Sequence, residues 1–173
     1  MLYTIGHSTH PIEVFLGLLG QHEIRTLVDV RSFPSSRRWP QFNHHELEAS
    51  VQERGVCYRW CKALGGRRHS LLRDSPHSAW QHPAFRSYAD YADTAEFATG
   101  IEYLSQLAAS GHCALMCSEG LWWRCHRRII ADYMTMRGWD IRHIMPSGKL
   151  AMHSLPDFAR VYHQRIIYDG RAV

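Results

Sequence analysis

His112-Cys113-Ala114-Leu115-Met116-Cys117, followed by Ser118-Glu119-Gly120-Leu121-Trp122-Trp123 and then Arg124-Cys125-His126-Arg127-Arg128-Ile129-Ile130, changes its hydrophobic period partway along. The first six residues form a short, mostly apolar run, the pattern of a strand covered on both faces. From Arg124 onward the apolar positions Ile129, Ile130, Tyr133 and Met134 recur at helical spacing until Gly138, which predicts a helix over 124–137. Asp140-Ile141-Arg142-His143-Ile144-Met145 then reads as another strand, and Pro146-Ser147-Gly148 as a turn. A strand, a helix and a second strand in this order form the repeating unit of a parallel sheet.

The same alternation extends in both directions. Leu2-Tyr3-Thr4-Ile5 is a first strand ending at Gly6, and Pro11 opens a helix with its stripe at Ile12, Phe15, Leu16 and Leu19. Residues 25–30 form the second strand. Asn43 with Glu46 marks the start of a helix carrying Leu47 and Val51 and ending at Gly55, followed by a strand over 56–60. Residues 61–81 show no period and read as a long loop, and one broken or two consecutive helices run from Pro83 to Gly111. Ser154 with Asp157 predicts a cap for a final helix reaching about residue 168. The fold class expected is α/β: a three-layer domain with a mostly parallel central sheet flanked by helices, one antiparallel edge strand being compatible with it, and residues 1–173 forming a single domain.

With 173 residues, 45% hydrophobic and 21% charged, the composition is that of a globular chain able to fold without disulfides or a structural metal. No run approaches the ~18 apolar residues of a membrane span, and the first residues lack the basic and apolar regions of a signal peptide, so a cytoplasmic protein with no membrane partner is expected. The formal net charge of +4 tolerates an anionic partner without marking a dedicated nucleic-acid binder. The 13 histidines add positive charge below pH ~6.5 and should strengthen anion affinity there. Five cysteines, an odd number, point to free thiols.

Ligands of open α/β sheets bind beyond the carboxyl ends of the strands. The residues predicted there are His7 and Ser8, Asp29 and Arg31, Cys117 and Glu119, and His143. The segment from Cys117 to Arg127 adds a thiol, an imidazole and cations, and the amides of the helix that follows favour an anion or a thiolate on Cys125. His126 precedes Ile129 and Ile130 by three and four residues, which aims its ring toward the strand-end cleft; a core histidine capping its own helix is the alternative. Cys113 and Cys117 stand roughly 13 Å apart along a strand, too far to share an ion, so a five-cysteine zinc cluster is excluded and Cys113 belongs to the core. Cys117, Cys125 and His126 can still meet around an ion, although a metal-free thiol site without a cofactor is the expectation. Cys61 and Arg67 have the spacing of a phosphatase loop but lack the helix that would supply its amides.

Thr4-Ile5-Gly6-His7-Ser8, Leu27-Val28-Asp29-Val30-Arg31 with Pro34, Tyr58 with Leu64-Gly65-Gly66, Cys117-Ser118-Glu119 with Cys125-His126-Arg127, and His143-Ile144 with Gly148 and His153 resemble, in that order, the bacterial and archaeal family called domain of unknown function 488. The resemblance implies a fold and a site but no substrate. It places His7, Ser8, Asp29, Arg31, Glu119, Cys125, His126, Arg127 and His153 at motif positions. Trp122-Trp123 departs from the small or turn-forming residues expected in that loop, offering a stacking surface or a cover for the helix start.

The function expected is an enzyme, a Cys- and His-dependent hydrolase or transferase, acting on an anionic nucleotide-like or nucleic-acid substrate. Cys117, Glu119, Cys125 and His126 are its candidate catalytic residues, with either Cys117 or Cys125 as nucleophile. His7, Ser8, Asp29, Arg31, Arg127 and His153 are candidates for substrate binding. One alternative is a non-catalytic nucleotide or nucleic-acid binding module using Arg37, Arg38, Trp39, Phe42, Asn43 and His44, where cations interleave with aromatics. Another is a metal-binding protein built on His7, Cys117, Cys125, His126 and His153.

Overall fold

The structure is a computed structural model describing residues 1–69 and 72–170. Its centre is a six-stranded sheet of Leu2–Gly6 (β1), Thr26–Asp29 (β2), Cys57–Trp60 (β3), Cys113–Cys117 (β4), Ile141–Ile144 (β5) and Leu150–Met152 (β6). The strand order is β3-β2-β4-β1-β5-β6, with all neighbours parallel except β5 and β6, which close one edge antiparallel. This confirms the α/β class with a mostly parallel sheet.

Side-chain alternation along the strands sorts the core into two layers. Tyr3, Ile5, Leu27, Ala114 and Met116 face the helices Ile12–Gln21 (α1) and His44–Gln52 (α2), meeting Phe15, Leu19, Leu47 and Val51. Leu2, Val28, Cys113, Leu115 and Cys117 face the opposite way, toward Pro83–Ala92 (α3), Ala95–Ala109 (α4) and Arg127–Met136 (α5). Thr94 caps α4 through its hydroxyl, which accepts from the Phe97 amide at 3.3 Å. Trp122–Arg124 is a 3₁₀ turn, so α5 begins three residues later than its apolar stripe suggests.

The chain after β6 departs from the expected final helix. Ala159–Tyr162 (β7) and Arg165–Tyr168 (β8) form an antiparallel hairpin. Its two turn residues, His163 and Gln164, both have positive φ (44° and 61°), the geometry that matches the twist of paired strands. Val161, Tyr162, Ile166, Ile167 and Tyr168 are β-branched or aromatic, and Ile166 and Tyr168, two apart, are the ones buried against the α3–α5 layer. That period of two outweighs the caps offered by Ser154 and Asp157. No helix among the described residues is long and apolar enough to cross a membrane.

Candidate functional site

A cavity of about 960 Å³ lies beyond the carboxyl ends of β1, β2 and β4. The β1–β4 ladder continues past the strands: the His7 amide donates to the Cys117 carbonyl at 3.0 Å and the Ser8 amide to the Ser118 carbonyl at 2.9 Å. These two loops form the cavity floor. Their approach requires Gly6, because a Cβ there would lie 1.9 Å from the Glu119 carbonyl oxygen. Ser8 holds a positive φ of 49° to make the turn.

Asp29, fully buried at the end of β2, accepts from Arg31 Nε at 2.9 Å and from Arg31 Nη2 at 2.6 Å. The Tyr58 hydroxyl donates to the same carboxylate at 2.7 Å. This locks the guanidinium so that Nη1 points at His7 Nε2, 3.5 Å away. His7 stacks on Phe42 and donates from Nδ1 to the Ser8 carbonyl, which fixes its tautomer. Burial, reinforced by the charge of Arg31, pulls His7 down to about 4, so it is neutral at pH 7.

Cys117 and Cys125 meet on the opposite side of the floor, and both are unbridged. His126 Nδ1 lies 3.5 Å from Cys125 Sγ and 3.9 Å from Cys117 Sγ, while His126 Nε2 donates to the Val30 carbonyl at 3.1 Å. Gly66 packs against that ring: a Cβ there would come within 2.3 Å of Nδ1. The two sulfurs titrate apart. Burial pushes Cys125 up, but the Cys117 thiol and the Arg127 charge more than offset it and bring it down to about 6. Cys117, beside that sulfur and desolvated, rises to about 12. Cys117, Cys125 and His126 place their donor atoms within 4.8 Å of one another; His44, His45 and Glu48 are the other such group among the described residues.

The walls are cationic and aromatic. Arg67 and Arg124 line the cavity together with Phe33, Trp39, Phe85 and Trp123, and neither arginine has an ion-pair partner among the described residues. Among the described residues Glu119 is the one carboxylate on the lining, and serines at 8, 32, 35, 36 and 118 supply hydroxyls.

Of the residues singled out in the sequence, His7, Ser8, Arg31, Cys117, Glu119, Cys125 and His126 converge on this cavity. Asp29, Arg127 and His153 do not line it. Arg127, 1% exposed, lies behind the floor, donating from Nε to Cys125 Sγ at 3.4 Å, from Nη1 to Thr4 Oγ1 at 3.4 Å and from Nη2 to the Glu119 carbonyl. His153 sits deeper, in a buried chain. Thr4 Oγ1 is 2.7 Å from His143 Nδ1, His143 Nε2 is 3.0 Å from His153 Nδ1, and His153 Nε2 is 2.8 Å from Asp132 Oδ1, whose other oxygen takes the Tyr168 hydroxyl at 2.8 Å. A carboxylate only accepts, so the His153 Nε2–H and the Tyr168 hydroxyl both donate to Asp132, and His143, in its neutral form, links His153 to Thr4. Burial drives His143 far below its ordinary value, in keeping with that neutral form.

The two tryptophans divide between these environments. Trp122 stacks on His143 with ring centroids 4.0 Å apart, and Trp123 faces the cavity. Cys61 is packed in the core, where burial raises its thiol, so its spacing to Arg67 builds no phosphate loop. Arg124 belongs to the segment from Cys117 to Arg127 that the sequence already singles out for its cations, whereas Phe85 and the contact of Gly66 with His126 carried no signal beyond the Gly65-Gly66 pair.

A model of the family described as "Domain of unknown function DUF488" matches residues 11–134, about seven-tenths of the chain. The matched stretch holds Asp29, Arg31, Glu119, Cys125, His126 and Arg127, while His7, Ser8 and His153 fall outside it. Comparison with curated proteins and with solved structures returns no match.

Proposed function

The chain belongs to the family described as "Domain of unknown function DUF488", and from its site we propose that it is a hydrolase or transferase acting on a nucleotide-like anion. One observation carries this reading: a single cavity of ligand size brings arginines and aromatic rings together with a thiol–imidazole floor. Arg67 and Arg124 suit a phosphate or carboxylate, each presenting planar donors with no competing carboxylate. Trp39, Phe85 and Trp123 offer faces for a flat ring. The reacting bond would then lie against Cys117, Cys125 and His126, with Glu119 on the same wall as acid or base. Ser8 contributes a hydroxyl, and Arg31, held by Asp29, contributes fixed positive charge.

Calorimetric titration with adenosine 5′-monophosphate, adenosine and inorganic phosphate tests the reading. The nucleotide should bind more tightly than either fragment, and Arg67→Ala or Arg124→Ala should weaken it about tenfold while leaving thermal stability unchanged. Equal, negligible binding of all three probes would end the proposal. A second reading, the nucleic-acid module, draws on the exposed Arg37 and on Arg38, whose guanidinium sits 5.5 Å over the Trp39 ring at the cavity edge. It predicts tight binding of a single-stranded oligonucleotide that weakens steeply with salt and is indifferent to Cys117→Ser and Glu119→Gln.

A further inference from the structure

We infer that Cys117, Cys125 and His126 form a site for one thiophilic divalent cation of zinc's size, with its fourth position open to the cavity. The distances support it first. In a tetrahedral site with metal–sulfur bonds of ~2.3 Å and metal–nitrogen bonds of ~2.0–2.1 Å, a sulfur and a nitrogen ligand stand roughly 3.6 Å apart. The two measured edges, 3.5 Å and 3.9 Å, bracket that value. All three donor atoms fit within 4.8 Å, so an ion needs only small side-chain adjustments.

The second support is the tautomer. A carbonyl oxygen accepts and cannot donate, so the 3.1 Å contact to Val30 places a proton on His126 Nε2 and leaves Nδ1, turned toward both sulfurs, as the nitrogen an ion would take. Metal-bound histidines are typically oriented in this way, the far nitrogen donating to a carbonyl or carboxylate. The ring lies so close to Gly66 that a Cβ there would come within 2.3 Å of Nδ1.

The surroundings give the third. Two thiolates neutralise a divalent ion, and the Arg127 Nε hydrogen bond to Cys125 Sγ withdraws electron density from that sulfur, leaving the ion a stronger Lewis acid. Three protein ligands with an open position facing a cavity match the arrangement of catalytic rather than structural zinc sites.

Ion binding stands on this geometry alone. The ion's role rests on the proposed function, where it would make the attacking group a metal-bound water instead of a cysteine sulfur. That water gives a proton to Glu119, its oxygen bonds to the electrophilic centre, and the bond to the leaving group breaks as the leaving group takes up the proton.

The test uses the full chain without a histidine tag. Elemental analysis should find close to one zinc-type ion per chain. Cobalt(II) added to metal-stripped protein should give a sulfur-to-metal charge-transfer band and the intense visible bands of a tetrahedral site. Cys117→Ser, Cys125→Ser and His126→Asn should each weaken zinc binding by tenfold or more, with Cys61→Ala as an unaffected control. Absence of the cobalt charge-transfer band in the unaltered chain overturns the inference whatever the variants do. So does zinc binding that survives Cys125→Ser but is lost in His44→Ala, which would place the ion at the surface group. Arg124→Ala separates the two proposals: it should weaken nucleotide binding about tenfold and leave the cobalt spectrum intact. A cobalt site with no nucleotide binding would sink the proposed substrate and keep the ion, and the reverse result would sink the ion alone.

Discussion

Two pairs of histidines lie near the carboxyl end of the sheet, and their surroundings differ in one respect. His143 and His153 belong to a buried chain hydrogen-bonded end to end from Thr4 to Tyr168. His7 and His126 line an open cavity, where His126 directs Nδ1 at two sulfurs and Arg67 and Arg124 have no ion-pair partner among the described residues. Residue type does not separate the pairs, since both are imidazoles beside acids and cations. What separates them is whether they face an open cavity or a closed network. A fully matched network resists change and holds its neighbours in place, whereas an unmatched one is able to bind.

The largest effect should come from the one place where the cavity wall is itself fully matched. Asp29→Ala strands Arg31, only 6% exposed, without its carboxylate, and should cost about 3–5 kcal/mol in denaturant unfolding. A loss under 1 kcal/mol would mean that Arg31 swings into the cavity and is held there less firmly than its contacts indicate.

Asp132→Ala should come next, at roughly 2–4 kcal/mol, because the His153 N–H and the Tyr168 hydroxyl both lose their acceptor in the interior. Nucleotide and cobalt binding should persist in whatever fraction remains folded. Loss of binding without loss of stability would break the distinction between framework and site.

The smallest effect is a slope. His143 is held neutral in the folded chain by burial, by His153 and by Arg127, and it contacts Thr4 and Trp122. The unfolded chain takes up this proton near pH ~6.5 and the folded chain does not, so stability should fall as pH drops below ~6.5, by about 1.4 kcal/mol per pH unit for this one group. His143→Gln should lower stability at pH 7 yet reduce that slope, as read by urea unfolding at pH 7, 6 and 5. An unchanged slope would show that His143 takes up its proton without unfolding.

Much of the architecture was legible in the sequence because the parallel strands are short apolar runs and the helices keep one stripe. The final hairpin was not, since Phe158, Val161 and Tyr162 mimic helical spacing and only their pairing with residues 165–168 reveals a period of two. The floor of the cavity was legible for a related reason: position just past a strand end follows from counting. Its walls depend on where the residues around Arg67 and Phe85 come to lie beside the strand ends, which local pattern does not encode. Phe85 and the seat of His126 on Gly66 therefore emerged only in three dimensions. Arg127 and His153 illustrate the converse, being residues near strand ends that point inward to brace the floor.

The continuation of the β1–β4 ladder through His7 and Ser8 into Cys117 and Ser118 has a consequence for how this pocket can diversify. Stitched amide by amide to the sheet, the reactive base of the pocket cannot be re-aimed by changing loop length without unzipping two central strands. On the opposite rim, among the described residues, Phe33, Arg67 and Phe85 make no backbone hydrogen bond to β1 or β4. Changes in ligand preference among related chains should therefore accumulate along that rim, with the chemistry beneath it held constant.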